Sequence, residues 1–438
     1  MAELGLGVLN SVESEEQRAI LEEHAAKVVG ASALKYFKEG PILPNWTLEF
    51  QLALDLVKVA YGATGTRGVR MTEENFDLEK IVSGLLQYRT ADVDVSNKGG
   101  QYKRHKWYAD QPEMLVSSHP VFDNLTKLDK ELTGKGSPRE SIVDVVVSES
   151  LVKRETSNGN GLDSILGTKP LSENETIFVH YHGGAYTRGS PGANRGLLLR
   201  IVNETGYRVF SPNYRLAPDN PFPAAIHDGY RFFQYLLSQG FRPENIIIAG
   251  SSAGGNLVMA LALILKNANE KQPRGIIGFS PWTDLSHTKE ASVENQKYDF
   301  IPASKLKVVL NSARLYAAPG RKLDEELMEL LKHPFVSPAF GNFDECAPIY
   351  IISGQAEVLS KENARFAESI GAKEVVIVGT EHPGISATEK NIYENYVGMI
   401  HVFVNFEEAN EGRAAIKGVG HFCRKLENQK RTHVPNKL

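Results

Sequence analysis

Asn245–Asn256 reads NIIIAGSSAGGN, and the rest of the chain falls into place around it. Ile246–Ala249 is a short β-branched apolar run of the kind that forms a buried strand. It ends in Gly250-Ser251-Ser252-Ala253-Gly254, which fits G-x-S-x-G. The apolar stretch Leu257–Leu265 that follows suits a helix. Strand, tight turn and helix together are the setting in which this pattern lifts a serine clear of a sheet. The flanking glycines turn the backbone without Cβ clashes, and the helix N-terminus beneath Ser252 favours negative charge. The plainer reading, a Gly/Ser turn between two buried elements, is weakened by what stands on either side.

Upstream, Thr176–Tyr181 (TIFVHY) reads as a strand running into His182-Gly183-Gly184-Ala185-Tyr186, roughly 70 residues before the serine. Side-chain-free glycines let backbone N–H groups approach a ligand, and a loop leaving a strand aims them at one point. With the N–H of Ala253, those of Gly183 and Gly184 would form an oxyanion hole. Further strands are expected at Ile142–Val147, Tyr207–Ser211, Gly275–Ser280, Ile349–Ser353 and Glu374–Val378. Helices are expected at about 224–238, 305–317, 324–331 and 409–425, and from about 361. Strands alternating with helices predict a parallel sheet covered on both faces.

Residues 1 to about 136 read differently, as helices and loops without a catalytic motif. Ser14-Glu15-Glu16-Gln17 fits a capping box. A helix at about Thr47–Ala60 carries two adjacent apolar stripes, Leu48, Leu52, Leu56 and Val59 beside Phe50, Leu54, Val57 and Tyr61. Such a face suits either packing on the main domain or lining an apolar substrate entrance. Asp92–Lys135 has no readable pattern. The polar stretch Gly134–Glu140 marks a boundary. The expected organisation is a helical cap or extension over 1–136, then a catalytic domain over 137–438 with a cap insertion at about 285–335.

Of 438 residues, 42% are hydrophobic, enough for a large core, and the net charge of −4 makes no electrostatic case for nucleic acid or anionic membrane. Cys346 and Cys423 are too few for a disulfide framework and lack metal-ligand spacing. No apolar run reaches the ~20 residues of a membrane span. The opening MAELGLGVLNSVESEEQ lacks the basic start of a secretory signal, so a cytoplasmic protein is expected. The C-terminal Asn436-Lys437-Leu438 resembles the Ser-Lys-Leu peroxisomal signal, with Asn a departure, and offers an alternative address.

The motifs together resemble those of the hormone-sensitive-lipase family of α/β-hydrolases. The likeness lies in His182–Tyr186, in Asn213-Tyr214-Arg215-Leu216-Ala217-Pro218 with Pro221–Ala225, and in Gly250–Gly255. Ser337-Pro338-Ala339-Phe340-Gly341 and Val397–Phe403 also match, so the resemblance covers about 180–405. It implies an eight-stranded, mostly parallel sheet with helices on both faces, a helical cap, and carboxylester hydrolysis without cofactor or metal. The substrates implied are small uncharged esters of short to medium acyl chain; a homodimer stays open.

Three departures qualify the likeness. Ser251 replaces an acidic residue before the nucleophile, Ala185 replaces a third glycine, and the acid motif reads Glu357-Val358-Leu359 instead of Asp-Pro-Leu. Glutamate accepts a histidine N–H as aspartate does. The resemblance therefore implies a triad of Ser252, Glu357 and His401, with Asp284 the rival acid and His382, in a loop read as a solvated insertion at 379–391, the rival base. Two other readings stay open: a hydrolase or acyltransferase acting on a secondary-metabolite ester, lactone or amide, and a non-catalytic ligand receptor on the same scaffold.

Overall fold

A computed structural model describes residues 15–63, 72–86, 92–108, 140–287, 293–302 and 305–432. Its nine strands are β1 Gly100–Tyr108, β2 Glu140–Ser148, β3 Ile177–Tyr181, β4 Arg208–Pro212, β5 Ile246–Ser251, β6 Gly275–Phe279, β7 Ile349–Gly354, β8 Lys373–Ile377 and β9 Ile392–Tyr396. They form one sheet in the order β1-β2-β4-β3-β5-β6-β7-β9-β8. β2 pairs antiparallel with β1 and with β4, and every other pairing is parallel. The elbow strand β5 is central, between β3 and β6.

Side chains of the central strands alternate between two apolar layers, as the period of two requires. Ile246 and Ile248 of β5, and Ile349 and Ile351 of β7, join the core on one face. Ile247 and Ala249, and Tyr350 and Ile352, join the core on the other. Burying each large aliphatic side chain contributes about 1.5–3 kcal/mol.

The helices are α1 Glu15–Glu39, α2 Leu48–Ala63, α3 Leu78–Leu86, α4 Glu149–Ser157, α5 Arg195–Thr205, α6 Ala224–Ser238, α7 Ala253–Asn267, α8 Ser312–Ala317, α9 Glu325–Lys332, α10 Ser360–Ser369 and α11 Asn410–Thr432. α6 and α7 cover the first face, α5 and α11 the second. α7 is buried from Ala253 to Leu265, which is why its sequence is apolar all round.

Two strands escaped the sequence reading, and the sheet has one more than the eight expected. β1, GQYKRHKWY, is charged because it is an edge strand with one face in solvent. β1 also lies before the expected boundary at 136 yet pairs with β2 along its whole length. β9, IYENY, is broken by Glu394 and Asn395, although Glu394 is buried. The helix expected at 305–317 is confined to Ser312–Ala317. Ser14 of the capping box, the stretch 134–139 and the C-terminal tripeptide lie outside the described residues. Among the described residues no helix is long and apolar enough to cross a membrane.

In α2 the stripe of Phe50, Leu54 and Val57 is buried in the second core layer, together with Trp46. Arg314 of α8, also buried, donates to Glu73 at 2.5 Å, so the excursion after β6 is tied to the N-terminal region.

Candidate active site

Between β5 and α7 the backbone at Ser252 has φ 54° and ψ −113°. Left-handed backbone at a residue other than glycine costs of order 1–3 kcal/mol and is held only by its surroundings. Ser252 N–H donates to Phe279 O at 2.9 Å, and Ser252 O accepts from Asn256 N–H at 3.0 Å and Trp282 N–H at 3.1 Å. The two glycines of the motif are sterically required. A Cβ on Gly250 would lie 2.1 Å from the Gly254 carbonyl oxygen, and one on Gly254 2.1 Å from that of Tyr181.

Gly183 rests against this turn, where a Cβ would stand 3.4 Å from Ser252 Cβ. Gly184 O accepts the N–H groups of Thr187 and Arg188, closing the loop directly after the two glycines. Ala253 opens α7, and the first N–H groups of a helix have no partner within it. The loop is anchored by His182, whose ring stacks on Tyr214 at 4.2 Å while Tyr214 OH donates to His182 O at 2.7 Å. Burial pulls the His182 pKa down to about 4, so the ring is neutral. Gly183 and the first residue of α7 thus both lie beside Ser252.

His401 lies in the turn after β9, with Nε2 2.9 Å from Ser252 Oγ. Its burial lowers its pKa to about 3, so the resting imidazole is neutral. Glu357 follows β7 and is wholly buried. Its Oε2 accepts from Ser280 Oγ at 2.5 Å and Gly354 N–H at 3.1 Å, and its Oε1 from Asn363 Nδ2 at 2.7 Å. Burial pushes its carboxyl up to about 8, against the pull of these donors. His401 Nδ1 lies 3.9 Å from Glu357 Oε2 and, among the described residues, has no hydrogen-bond partner. The candidate acid therefore stands beside the candidate base without closing on it. A proton reaching Nε2 would charge the ring and draw the two together.

Asp284 is engaged in a turn, its Oδ1 accepting from Ser286 N–H at 2.9 Å and Ser286 Oγ at 2.5 Å. His382 corrects an expectation. Its side chain is 1% exposed, not solvated, and Nε2 sits 2.7 Å from Oε1 of the equally buried Glu394. The loop around it is exposed, which is what the sequence conveyed; the inward turn of one side chain left no local trace. Sequence reasoning also missed Ser280 and Asn363, which hold the acid. His180 Nε2 is 3.0 Å from Ser251 Oγ, both buried. Ser251, noted as a departure from an acidic residue, thus has a neutral histidine for its partner, since burial lowers His180 to about 3.

Residues 178–405 match a family model described as alpha/beta hydrolase fold, and the chain belongs to that family. Among its relatives, an "Esterase" of Acinetobacter venetianus is 35% identical over 201 residues, 46% of this chain and 63% of that protein. An "Acetyl-hydrolase" of Streptomyces hygroscopicus is 30% identical over 264 residues, 58% of this chain and 78% of that one. The matched stretch thus spans less than two thirds of the Acinetobacter relative. The crystal structure of an esterase from the bacterial hormone-sensitive lipase family shares the fold, with a TM-score of 0.52 at 22% identity over 85% of this chain and 97% of that one. The hormone-sensitive-lipase likeness read from the motifs is borne out.

Proposed function

We propose that the chain is a serine carboxylester hydrolase in which Ser252, His401 and Glu357 form the triad. The observation that carries this reading is the 2.9 Å contact of Ser252 Oγ with His401 Nε2, made at a strained strand-to-helix turn. Ser252 attacks the ester carbonyl carbon as His401 takes its proton, and Glu357 in its ionised form steadies the imidazolium. The N–H groups of Gly183, Gly184 and Ala253 receive the oxyanion. His401 then protonates the departing alcohol, and a water it deprotonates cleaves the acyl-enzyme. Short acyl groups are the proposed substrates, in keeping with the acetyl-hydrolase relative. The helices that precede β1 and the excursion after β6 are proposed to form the cap over the site; the Arg314–Glu73 contact joins them. Ser252→Ala should lower kcat by about 10⁴-fold or more on p-nitrophenyl esters from acetate to palmitate, with the fold intact. A variant keeping a tenth of wild-type activity would exclude the assignment.

A further inference from the structure

Asp299 lies in the excursion between β6 and α8, far in sequence from both the acid and the base, and is 4% exposed. Its carboxylate reaches the backbone of His401 and of the residue after Glu357. Oδ2 accepts the N–H of Val358, the residue after Glu357, at 2.8 Å. Oδ1 accepts the N–H of its neighbour Phe300 at 2.8 Å and that of His401 itself at 3.3 Å. Both oxygens of the side chain accept, so it satisfies three backbone donors on three separate stretches of chain. The acid and base loops also meet directly, through Gln355 N–H on Tyr396 O at 2.9 Å and Ala356 N–H on Met399 O at 2.8 Å. Those bonds stop one residue before Glu357 and two before His401, whereas the Asp299 bonds fall on His401 itself and on the residue after Glu357. Phe300 brings its ring to 5.9 Å from that of His401, and Lys58 of α2 adds its positive charge to the surroundings of Asp299.

We propose that Asp299 is a positioning residue that sets the separation of Glu357 and His401. The gap it would govern is the 3.9 Å between His401 Nδ1 and Glu357 Oε2, which has to shorten when the imidazolium forms. A misplacement of about 1 Å at such a site costs on the order of 100-fold in rate. The inference rests on the reading of Ser252 and His401 as the reacting pair.

The test compares wild type, Asp299→Ala, Asp299→Asn and Ser252→Ala on p-nitrophenyl acetate, well below each variant's melting temperature. Rates are counted per folded molecule. Asp299→Ala should lower kcat by about 100-fold with KM within about twofold, and should slow labelling of Ser252 by a fluorophosphonate in parallel. Asp299→Asn keeps one oxygen for the His401 side and should recover about a tenth of the wild-type kcat or more. An Asp299→Ala variant that melts earlier but keeps kcat and labelling rate within twofold overturns the positioning role and leaves a structural tie. Should Asp299→Ala not fold, Asp299→Asn decides: a lower kcat at unchanged KM supports the role, and wild-type kinetics overturn it. An active Ser252→Ala variant overturns the reaction itself, a result distinguishable from failure of the Asp299 role alone.

Discussion

His401 and His382 both follow the candidate acid in the chain, and each is held close to a carboxylate, Glu357 or Glu394. What separates them is the third partner. His401 reaches Ser252 Oγ, whereas His382 accepts Gly384 N–H at 2.9 Å on Nδ1 and stacks on His421 at 5.1 Å. The two substitutions should therefore fail in different ways. His401→Ala is expected to lose about 10⁴-fold in kcat with little change in melting temperature. His382→Ala should instead remove a hydrogen-bond partner of Glu394, which keeps the Tyr396 hydroxyl, and cost about 1–3 kcal/mol of stability. Its folded fraction should turn over within about tenfold of wild type. Parallel kcat and thermal-melt measurements check both; a dead, stable His382→Ala beside an active His401→Ala would reverse the assignment.

At the scale of elements, the N-terminal region acts on the far end of the chain. Trp46, just before α2, donates its indole N–H to Gly398 O at 2.7 Å, and Asn45 Nδ2 donates to Val397 O at 3.1 Å and Glu411 Oε1 at 2.8 Å. These bonds grip the turn that leads from β9 to His401. The apolar helix that follows is thus seated beside the base loop, where Phe50 packs edge-on to Phe406 at 5.5 Å. Trp46→Ala removes a buried aromatic and leaves the Gly398 carbonyl without its donor. A loss of about 3–5 kcal/mol is expected from the packing. A fall in kcat of about tenfold, at constant KM for acetate esters, should accompany it. Trp46→Phe should restore most of the stability but not the rate. Wild-type kcat in folded Trp46→Ala would confine this segment to a packing role.

Across the whole molecule, buried ionisable groups set how stability varies with pH. Burial raises Glu357 and Glu362 to about 8 and Asp299 to about 7. The folded chain thus keeps protons that the unfolded chain releases near pH 4, and the contribution of these acids falls as pH rises from about 4 to 8. Burial lowers His180 and His401 to about 3 and His182 to about 4. There the unfolded chain binds the extra proton, so the histidine contribution rises with pH up to about 6.5 and is then complete. Between about pH 6.5 and 8 only the acids still act, and the melting temperature should fall. Glu362 takes all three of its bonds, from Thr283 N–H, Thr283 Oγ and Asp284 N–H, on Oε1. An amide oxygen can accept the same set without a charge. Glu362→Gln should match wild type near pH 5 and melt higher at pH 8, by up to about 1.4 kcal/mol per pH unit of the acid range. Superimposable melting curves from pH 5 to 8 would remove Glu362 as a contributor.

The central strands and the elbow were legible in the sequence because their determinants are local. A β-branched run buried on both faces, two glycines whose Cβ positions are occupied by backbone, and an apolar helix leave their mark within Ile246–Leu265. The candidate oxyanion loop was legible for the same reason. β1 and β9 were not, since a charged edge strand and a strand holding a paired buried glutamate lack an apolar period. The partners of the candidate acid and base were not legible either. Asp299, Val358 and His401 meet only when the excursion after β6 folds back over the ends of β7 and β9. A hydrogen bond between segments so far apart constrains neither segment's own pattern of residues, so only the tertiary structure decides it.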